Sequence, residues 1–149
     1  MQKGREESME KTVKDDCIFC KIAAGEIPSE TVYEDEQFRA ILDLGPASAG
    51  HTLILPKAHF KDVTEISDEY AANVLKVAAK LGKAMKKGLG CEGFNLVQNN
   101  GEAAGQTVFH LHVHLIPRYQ DDTVEIQWKP TQRTDTEELA KKIREAFAD

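Results

Sequence analysis

The chain has few cysteines and no long apolar run, and both absences narrow its class. Only three cysteines occur among 149 residues, and an odd number favours thiols in a reducing cytoplasm over disulfides. No apolar stretch approaches the roughly 20 residues of a transmembrane helix, so we expect no membrane span. An excess of positive charge is also lacking. The formal net charge of -6 argues against a broad nucleic-acid or membrane surface, because phosphates would be repelled.

The first 15 residues differ in composition from the rest of the chain. They carry charges of both signs and almost no apolar side chains. This composition predicts a flexible tail, and it offers no apolar core for a secretory signal. The overall length is typical of one domain. We therefore expect a tail over residues 1–15, a folded domain over residues 16–120, and a C-terminal extension over residues 121–149 with a short helix.

The spacing of apolar residues predicts strands and helices in an antiparallel α+β domain. Short apolar runs bounded by glycine, proline or polar residues indicate strands at residues 31–33, 38–42, 51–57, 94–100 and 109–119. An apolar stripe that begins after Ser67 or Asp68 predicts a long helix, and Gly88 or Gly90 would end it. A capping box that starts at Thr134 predicts the short C-terminal helix. Hairpins with helices between strand groups favour the α+β class over a parallel sheet.

Three of the five histidines occupy alternate positions in the stretch HLHVHLIP, residues 110–117. In a strand, alternate side chains share a face, so His110, His112 and His114 are expected to project together. The apolar residues between them would point to the other face, where a helix could cover them. Three imidazoles on one face are costly in a core, because their nitrogens need polar partners. The run therefore indicates a chemical site.

Two chemistries fit this run. A zinc ion held by three histidines, with a bound water, would make a hydrolase, although the three rings would have to lean towards one another. Alternatively, a neutral imidazole could attack phosphorus and form a covalent intermediate. The preceding loop NNGEAAGQTV offers phosphate donors through polar side chains and through glycines that let backbone N–H groups approach. The residue pattern leaves both chemistries open.

The motif HLHVHLI resembles the His-φ-His-φ-His-φ-φ signature of the histidine triad (HIT) nucleotide-binding family. CIFCKIAAGEIPSETVYEDE, LDLGPASAGHTLILPKAH and NNGEAAGQTVFHLHVHLIPR are similar to family segments in the same order, so the resemblance spans about residues 16–119. It implies an antiparallel five-stranded sheet with two main helices, in a homodimer whose sheets join. It also implies hydrolysis or transfer of a nucleoside monophosphate from an α-phosphorus, with no catalytic cofactor.

The resemblance also implies roles for individual residues. His112 would be the nucleophile, His114 would donate to phosphate oxygens, and His51 would support the phosphate region. The alternative for His51 is a capping or surface role. The implied contacts to a purine nucleotide or nucleotide conjugate are Phe19, Asp43, Leu44, Asn99, Gly105, Gln106 and Thr107. Without the resemblance, Asp43 is a turn residue in a Gly-Pro loop, and Phe19 and Leu44 are ordinary core residues.

The motif CIFC fits a zinc site or a redox pair, and by itself it distinguishes neither. A redox pair of the thioredoxin type should lie in a βαβ unit, which the strand pattern lacks. HIT proteins with this motif hold a structural zinc with both cysteines, the histidine of PKxH and the first histidine of the triad. The matching residues here are Cys17, Cys20, His59 and His110. The alternative is two free thiols packed near the sheet.

Three functions follow from these observations. The first is a nucleotidyl hydrolase that acts on a purine nucleoside phosphoramidate or a dinucleoside polyphosphate. The second is a non-catalytic purine-nucleotide-binding or scaffold protein with the same fold. The third, which does not need the resemblance, is a three-histidine zinc hydrolase. The C-terminal extension differs from the short tails of phosphoramidase-type members. We expect its Trp128 to anchor it by packing; the alternative is that Trp128 flanks the active site across the dimer.

Overall fold

The computed structural model describes residues 13–132 and 135–147. Its five strands form one sheet in the order β1-β2-β3-β5-β4, and all neighbouring strands are antiparallel. The strands are β1 (Thr31–Glu34), β2 (Phe38–Leu42), β3 (Thr52–Pro56), β4 (Gly93–Val97) and β5 (Val113–Arg118). The predicted α+β class with an antiparallel five-stranded sheet is confirmed. Most of the predicted tail lies outside the described residues.

The long helix α2 (Asp68–Leu89) has the predicted ends. The Ser67 hydroxyl accepts a hydrogen bond from the backbone N–H of Tyr70 at 3.3 Å, which satisfies one of the free N–H groups of the first turn. Gly90 ends the helix in the left-handed region at φ 68°, where a residue with a Cβ would be strained. α2 packs on one face of the sheet, around buried residues such as Ile54 and Leu115.

A short helix, α1 (Ile18–Ala23), was not predicted from the sequence. It has six residues, too few to show a helical period. Its N-cap is Cys17, whose sulfur accepts from the backbone N–H of Cys20 at 3.3 Å, whereas helices usually begin with a serine, threonine, aspartate or asparagine. α1 packs Phe19 and Ile22 against a second apolar cluster on the other face of the sheet.

The histidine run lies only partly in a strand. β5 begins at Val113, so the predicted strand over residues 109–119 is too long at its start. His110 and His112 lie in the preceding segment, which is held by a hydrogen bond from the Leu111 N–H to the Phe60 carbonyl at 2.7 Å. The alternation still persists, because Leu111 points into the cluster under α2. Similarly, β4 ends at Val97 and not at residue 100.

The C-terminal extension carries a third helix, α3 (Thr136–Ala146). The Asp135 carboxylate caps it by accepting from the Glu138 N–H at 3.1 Å, and the predicted cap Thr134 lies outside the described residues. Trp128 is 82% exposed, so the prediction that it anchors the extension by packing is wrong for a single chain. Among the described helices, none combines the length and apolar character needed to cross a membrane.

Candidate active site and metal centre

Two cysteines and two histidines converge where α1 meets the ends of β3 and β5. The ligand atoms of Cys17, Cys20, His59 and His110 all lie within 4.8 Å of one another. The Cys20 sulfur lies 3.4 Å from Nδ1 of both His59 and His110, and the Cys17 sulfur lies 3.4 Å from the same nitrogen of His110. Tetrahedral zinc bonds of about 2.3 Å to sulfur and about 2.0 Å to nitrogen separate a sulfur ligand from a nitrogen ligand by about 3.5 Å. The four residues therefore fit a closed zinc site.

The protonation of His110 also suits a metal ligand. Its Nε2–H donates to the Pro56 carbonyl at 2.9 Å, and because a carbonyl can only accept, the Nδ1 lone pair faces the two sulfurs. Burial lowers the pKa of His110 to about 4, which keeps the ring neutral. Burial raises the pKa of the Cys20 thiol to about 11, so a cation would be needed to stabilise its thiolate.

His112 carries its proton on the other ring nitrogen, Nδ1. Its Nδ1–H donates to the backbone carbonyl of His110 at 2.8 Å, so the Nε2 atom keeps its lone pair. Phe19 fixes the ring from the side, with an edge-to-face contact at 5.0 Å between ring centroids. A neutral imidazole with one nitrogen tied to a carbonyl is a competent nucleophile. The nitrogens of His110 and His112 thus have separate partners, which disfavours one ion shared by all three histidines.

A second chain of hydrogen bonds determines the tautomer of His114. The backbone N–H of Ala47 donates to Nδ1 of His51 at 2.9 Å, so the proton of His51 is on Nε2. That nitrogen lies 2.9 Å from Nδ1 of His114, which must then accept. The proton of His114 is consequently on Nε2. With ring centroids 5.0 Å apart, His112 and His114 therefore offer a lone pair and an N–H donor side by side.

Asp43, His51 and His114 form a second group of potential metal ligands within 4.8 Å. The Asp43 carboxylate lies 3.6 Å from Nε2 of His51, too far for a good hydrogen bond but close enough to favour the N–H on that atom. A cation bound here would have to displace the proton shared by the two imidazoles. The hydrogen-bonded arrangement explains the group without a metal.

We expect the buried imidazole of His51 and the half-buried imidazole of His114 to make the protein less stable in acid. Burial, assisted by the neighbouring His112 and His51, lowers the pKa of His114 from 6.5 to about 4, and burial also lowers the pKa of His51. Between pH 6.5 and about pH 4 the unfolded chain binds a proton at His114 that the folded chain does not bind. The free energy of unfolding therefore decreases as the pH falls through this range. One such histidine contributes a slope of at most about 1.4 kcal/mol per pH unit.

Thermal melts by circular dichroism between pH 7 and pH 4 check this expectation. The melting temperature should fall steadily towards the acid end. The variant His114→Gln removes one of the shifted groups and should give a shallower fall. An identical dependence of melting temperature on pH in the wild type and His114→Gln would contradict the lowered pKa of His114.

The loop between β4 and β5 is held by its own glutamine. Gln106 is only 3% exposed, and its side-chain amide donates to the carbonyls of Lys61 at 2.8 Å and Val108 at 3.1 Å. Its Oε1 accepts from the Gly101 N–H at 2.8 Å. The resemblance assigns Gln106 to phosphate binding, but both of its amide hydrogen bonds go to backbone carbonyls and stabilise the loop. Asn99 lies next to Gly105, whose φ of 94° places it in the left-handed region, and Thr107 is exposed.

The structure brings the four predicted zinc ligands together, and it brings the predicted catalytic histidines His51, His112 and His114 together. Phe19 contacts His112, and Asp43 lies beside His51. Leu44, by contrast, is 98% exposed and forms no wall of a pocket. Sequence reasoning missed Ala47 and Pro56, which set the tautomers of the histidines through backbone groups. No side-chain pattern signals such a role.

Comparisons with known proteins show which proteins this chain resembles in sequence and fold. The family model described as "HIT domain" matches residues 24–121. Adenosine 5'-monophosphoramidase HNT1 of Saccharomyces cerevisiae is 41% identical, over 89% of this chain and 81% of its own. A Streptococcus mutans protein of known structure has a TM-score of 0.85 at 42% identity, covering 91% of this chain and 88% of its own. A Zn-bound histidine triad family protein from Mycobacterium smegmatis has a TM-score of 0.70 at 40% identity, covering 89% and 94%.

Proposed function

Because this chain belongs to the histidine triad (HIT) family, we propose that it is a nucleotidyl hydrolase or transferase. Its substrate would be a purine nucleoside phosphoramidate or a dinucleoside polyphosphate. The observation that carries this proposal is the pair of imidazoles His112 and His114, of which the first offers a lone pair and the second an N–H group. A nucleophile beside a fixed donor is what attack on a phosphate requires.

In the proposed reaction, Nε2 of His112 attacks the α-phosphorus. A phosphorus–nitrogen bond forms, the bond to the leaving group breaks, and the leaving group departs with the electron pair and takes a proton from solvent. The ring of His112 becomes cationic, and its Nδ1–H bond to the His110 carbonyl strengthens because a charged donor binds more tightly. Water then attacks the phosphorus, releases the nucleoside monophosphate and restores neutral His112. His114 donates its Nε2–H to a phosphate oxygen throughout.

The nucleotide would lie between α1 and the two loops that flank the histidines. Asp43 would accept hydrogen bonds from the ribose hydroxyls, and Phe19 would line the base side of the pocket. Asn99 and Thr107 would donate to the phosphate, and Gly105 lets the backbone approach it closely. Gln106 would act by shaping this loop. Leu44 would contact the base only when a bound nucleotide or a second subunit covers it.

We also propose that Zn²⁺ binds Cys17, Cys20, His59 and His110. Four protein ligands close the coordination sphere, which is typical of structural zinc, whereas a catalytic zinc keeps one position for water or substrate. The ion would link α1 to the segments that follow β3 and precede β5. It would therefore stabilise the wall of the site that carries Phe19, without taking part in the chemistry.

A homodimer that joins two sheets is the proposed assembly. β4 lies at an edge of the sheet, and Leu75 on α2 and Leu96 on β4 are 67% and 44% exposed. An open edge beside exposed leucines is a typical surface for association. Sedimentation equilibrium should give twice the 16.6 kDa mass of the chain, and a monomeric mass at all concentrations would contradict this proposal.

A direct screen of substrates tests the proposed activity. Adenosine phosphoramidates and dinucleoside tri- and tetraphosphates are incubated with the protein, and release of AMP is followed by chromatography. We expect release of AMP, and rapid quenching followed by mass spectrometry should find AMP on the peptide that contains His112. Tight binding of AMP without turnover of any substrate would favour the nucleotide-binding scaffold instead.

A further inference from the structure

The side chains of Ser48 and Tyr119 connect the loop that precedes β3 to the end of β5 by hydrogen bonds. In both bonds the acceptor is a backbone carbonyl and not the imidazole of His51 or His114. The Ser48 hydroxyl donates to the Pro117 carbonyl at 2.6 Å. The Tyr119 hydroxyl donates to the Ala49 carbonyl at 2.7 Å. Both bonds span about seventy residues of sequence, and together they hold the consecutive residues Ser48 and Ala49.

Directly before these two anchored residues, the loop presents the N–H group of Ala47 to Nδ1 of His51. The Ser48 carbonyl also accepts from the His51 N–H at 3.1 Å, so the backbone of His51 is tied to the same residue. These contacts begin and end on β5. The strand holds the loop, and the loop fixes the tautomer of His51 through the Ala47 N–H. His51 in turn fixes the tautomer of His114, which is itself a residue of β5. The strand that carries the phosphate donor thus also sets the proton on that donor.

We propose that Ser48 and Tyr119 are positioning residues that keep the proton of His114 on Nε2. This inference rests on the proposed function, because it assigns that proton to the contact with a phosphate oxygen. Without the anchors, the Ala47 N–H would no longer require a lone pair on Nδ1 of His51. The reversed tautomers would then become accessible, with His51 accepting on Nε2 and His114 donating from Nδ1.

Reversal would change the chemistry of the site without moving its atoms far. His114 would then present a lone pair beside the lone pair of His112. A phosphate oxygen facing two acceptors has no donor, so its developing charge would not be stabilised. The anchors therefore act on the chemical step more than on binding of the nucleotide.

The test compares Ser48→Ala and Tyr119→Phe with the wild type, using adenosine phosphoramidate as the substrate. Each anchor is one neutral hydrogen bond, so we expect kcat to fall about 3- to 10-fold while KM changes less than about twofold. Long-range ¹⁵N–¹H NMR spectra of the free protein should show His114 protonated on Nε2 in the wild type and a mixture of tautomers in each variant. Ser48→Thr keeps the hydroxyl and should restore kcat and the single tautomer.

Matched controls come from a serine and a tyrosine far from the histidines. The Ser29 hydroxyl is hydrogen-bonded to Thr31, and the Tyr33 hydroxyl donates to Asp35. Ser29→Ala and Tyr33→Phe therefore remove one serine and one tyrosine hydroxyl without changing the loop that precedes β3. Both controls should leave kcat and the tautomers unchanged. Unaltered tautomers and kcat in Ser48→Ala and Tyr119→Phe would overturn the inference, as would an equal loss of kcat in the controls. If the wild type turns over no substrate, the proposed function fails, whereas the NMR comparison still decides the anchoring role.

Discussion

Replacing His112 with asparagine is expected to lower kcat/KM for AMP release by at least about a thousandfold. Asparagine can still donate to the His110 carbonyl that His112 now contacts at 2.8 Å, so the local backbone should keep its conformation. Its amide nitrogen has no available lone pair, and the covalent intermediate cannot form. Initial rates of AMP release by the wild type and His112→Asn, with quenched samples searched for AMP-modified peptide, measure the effect.

Two further measurements separate loss of the nucleophile from loss of the fold. The variant should bind AMP with an affinity within about tenfold of the wild type, and its melting temperature should stay close to that of the wild type. In His112→Gly, added imidazole should restore part of the activity by supplying the missing nitrogen base. Equal turnover by wild type and His112→Asn would remove His112 from the mechanism.

Removal of zinc is expected to have the largest effect on stability. The proposed ion links α1 to segments some forty and ninety residues away. Without it, the buried thiol of Cys20, the buried imidazole of His110 and the half-buried imidazole of His59 lose their common partner. Structural zinc sites commonly contribute several kcal/mol, so we expect a chelator to lower the melting temperature by roughly 10 °C or more. Catalysis measured well below the melting temperature should persist, because His112 and His114 are not ligands.

Cys20 and Cys91 make a matched pair for this experiment. Both thiols are buried, with 2% and 6% exposure, but only Cys20 belongs to the cluster. Cys20→Ala should reproduce the effect of the chelator and lose bound metal in elemental analysis, whereas Cys91→Ala should keep the metal and lose only the packing of one sulfur. If chelation instead abolishes turnover while the fold persists, a catalytic three-histidine zinc centre becomes the better account.

The separation of the three histidines shows why the two experiments have different readouts. In the sequence, His110, His112 and His114 are equivalent members of one run. In the structure, His110 faces the two cysteines, while the rings of His112 and His114 lie 5.0 Å apart beside His51. The sequence-based expectation that His110 joins the cysteines came from resemblance alone, and the distances now give it a geometric basis.

Local pattern was sufficient for the sheet, for the long helix and for the two faces of the histidine run. Alternation of side chains is a property of any extended backbone, so Leu111 and His112 point to opposite sides whether or not their segment pairs with a neighbour. The ends of α2 followed from Ser67 and Gly90, because caps act within a few residues of the helix they end.

Tertiary structure alone decided where β5 begins, that Gln106 holds its own loop, and which nitrogen of His110 and of His114 carries the proton. These features depend on backbone groups distant in sequence: the Phe60 carbonyl for Leu111, the Lys61 carbonyl for Gln106, and the Pro56 carbonyl for His110. Every non-proline residue offers the same N–H and every residue the same carbonyl, so the side-chain sequence does not distinguish the partner. Only the folded chain brings the Pro56 carbonyl to His110, and only there does the imidazole of His51, fixed by the Ala47 N–H, make His114 a donor. His112 differs, because its partner is the carbonyl of His110, two residues away.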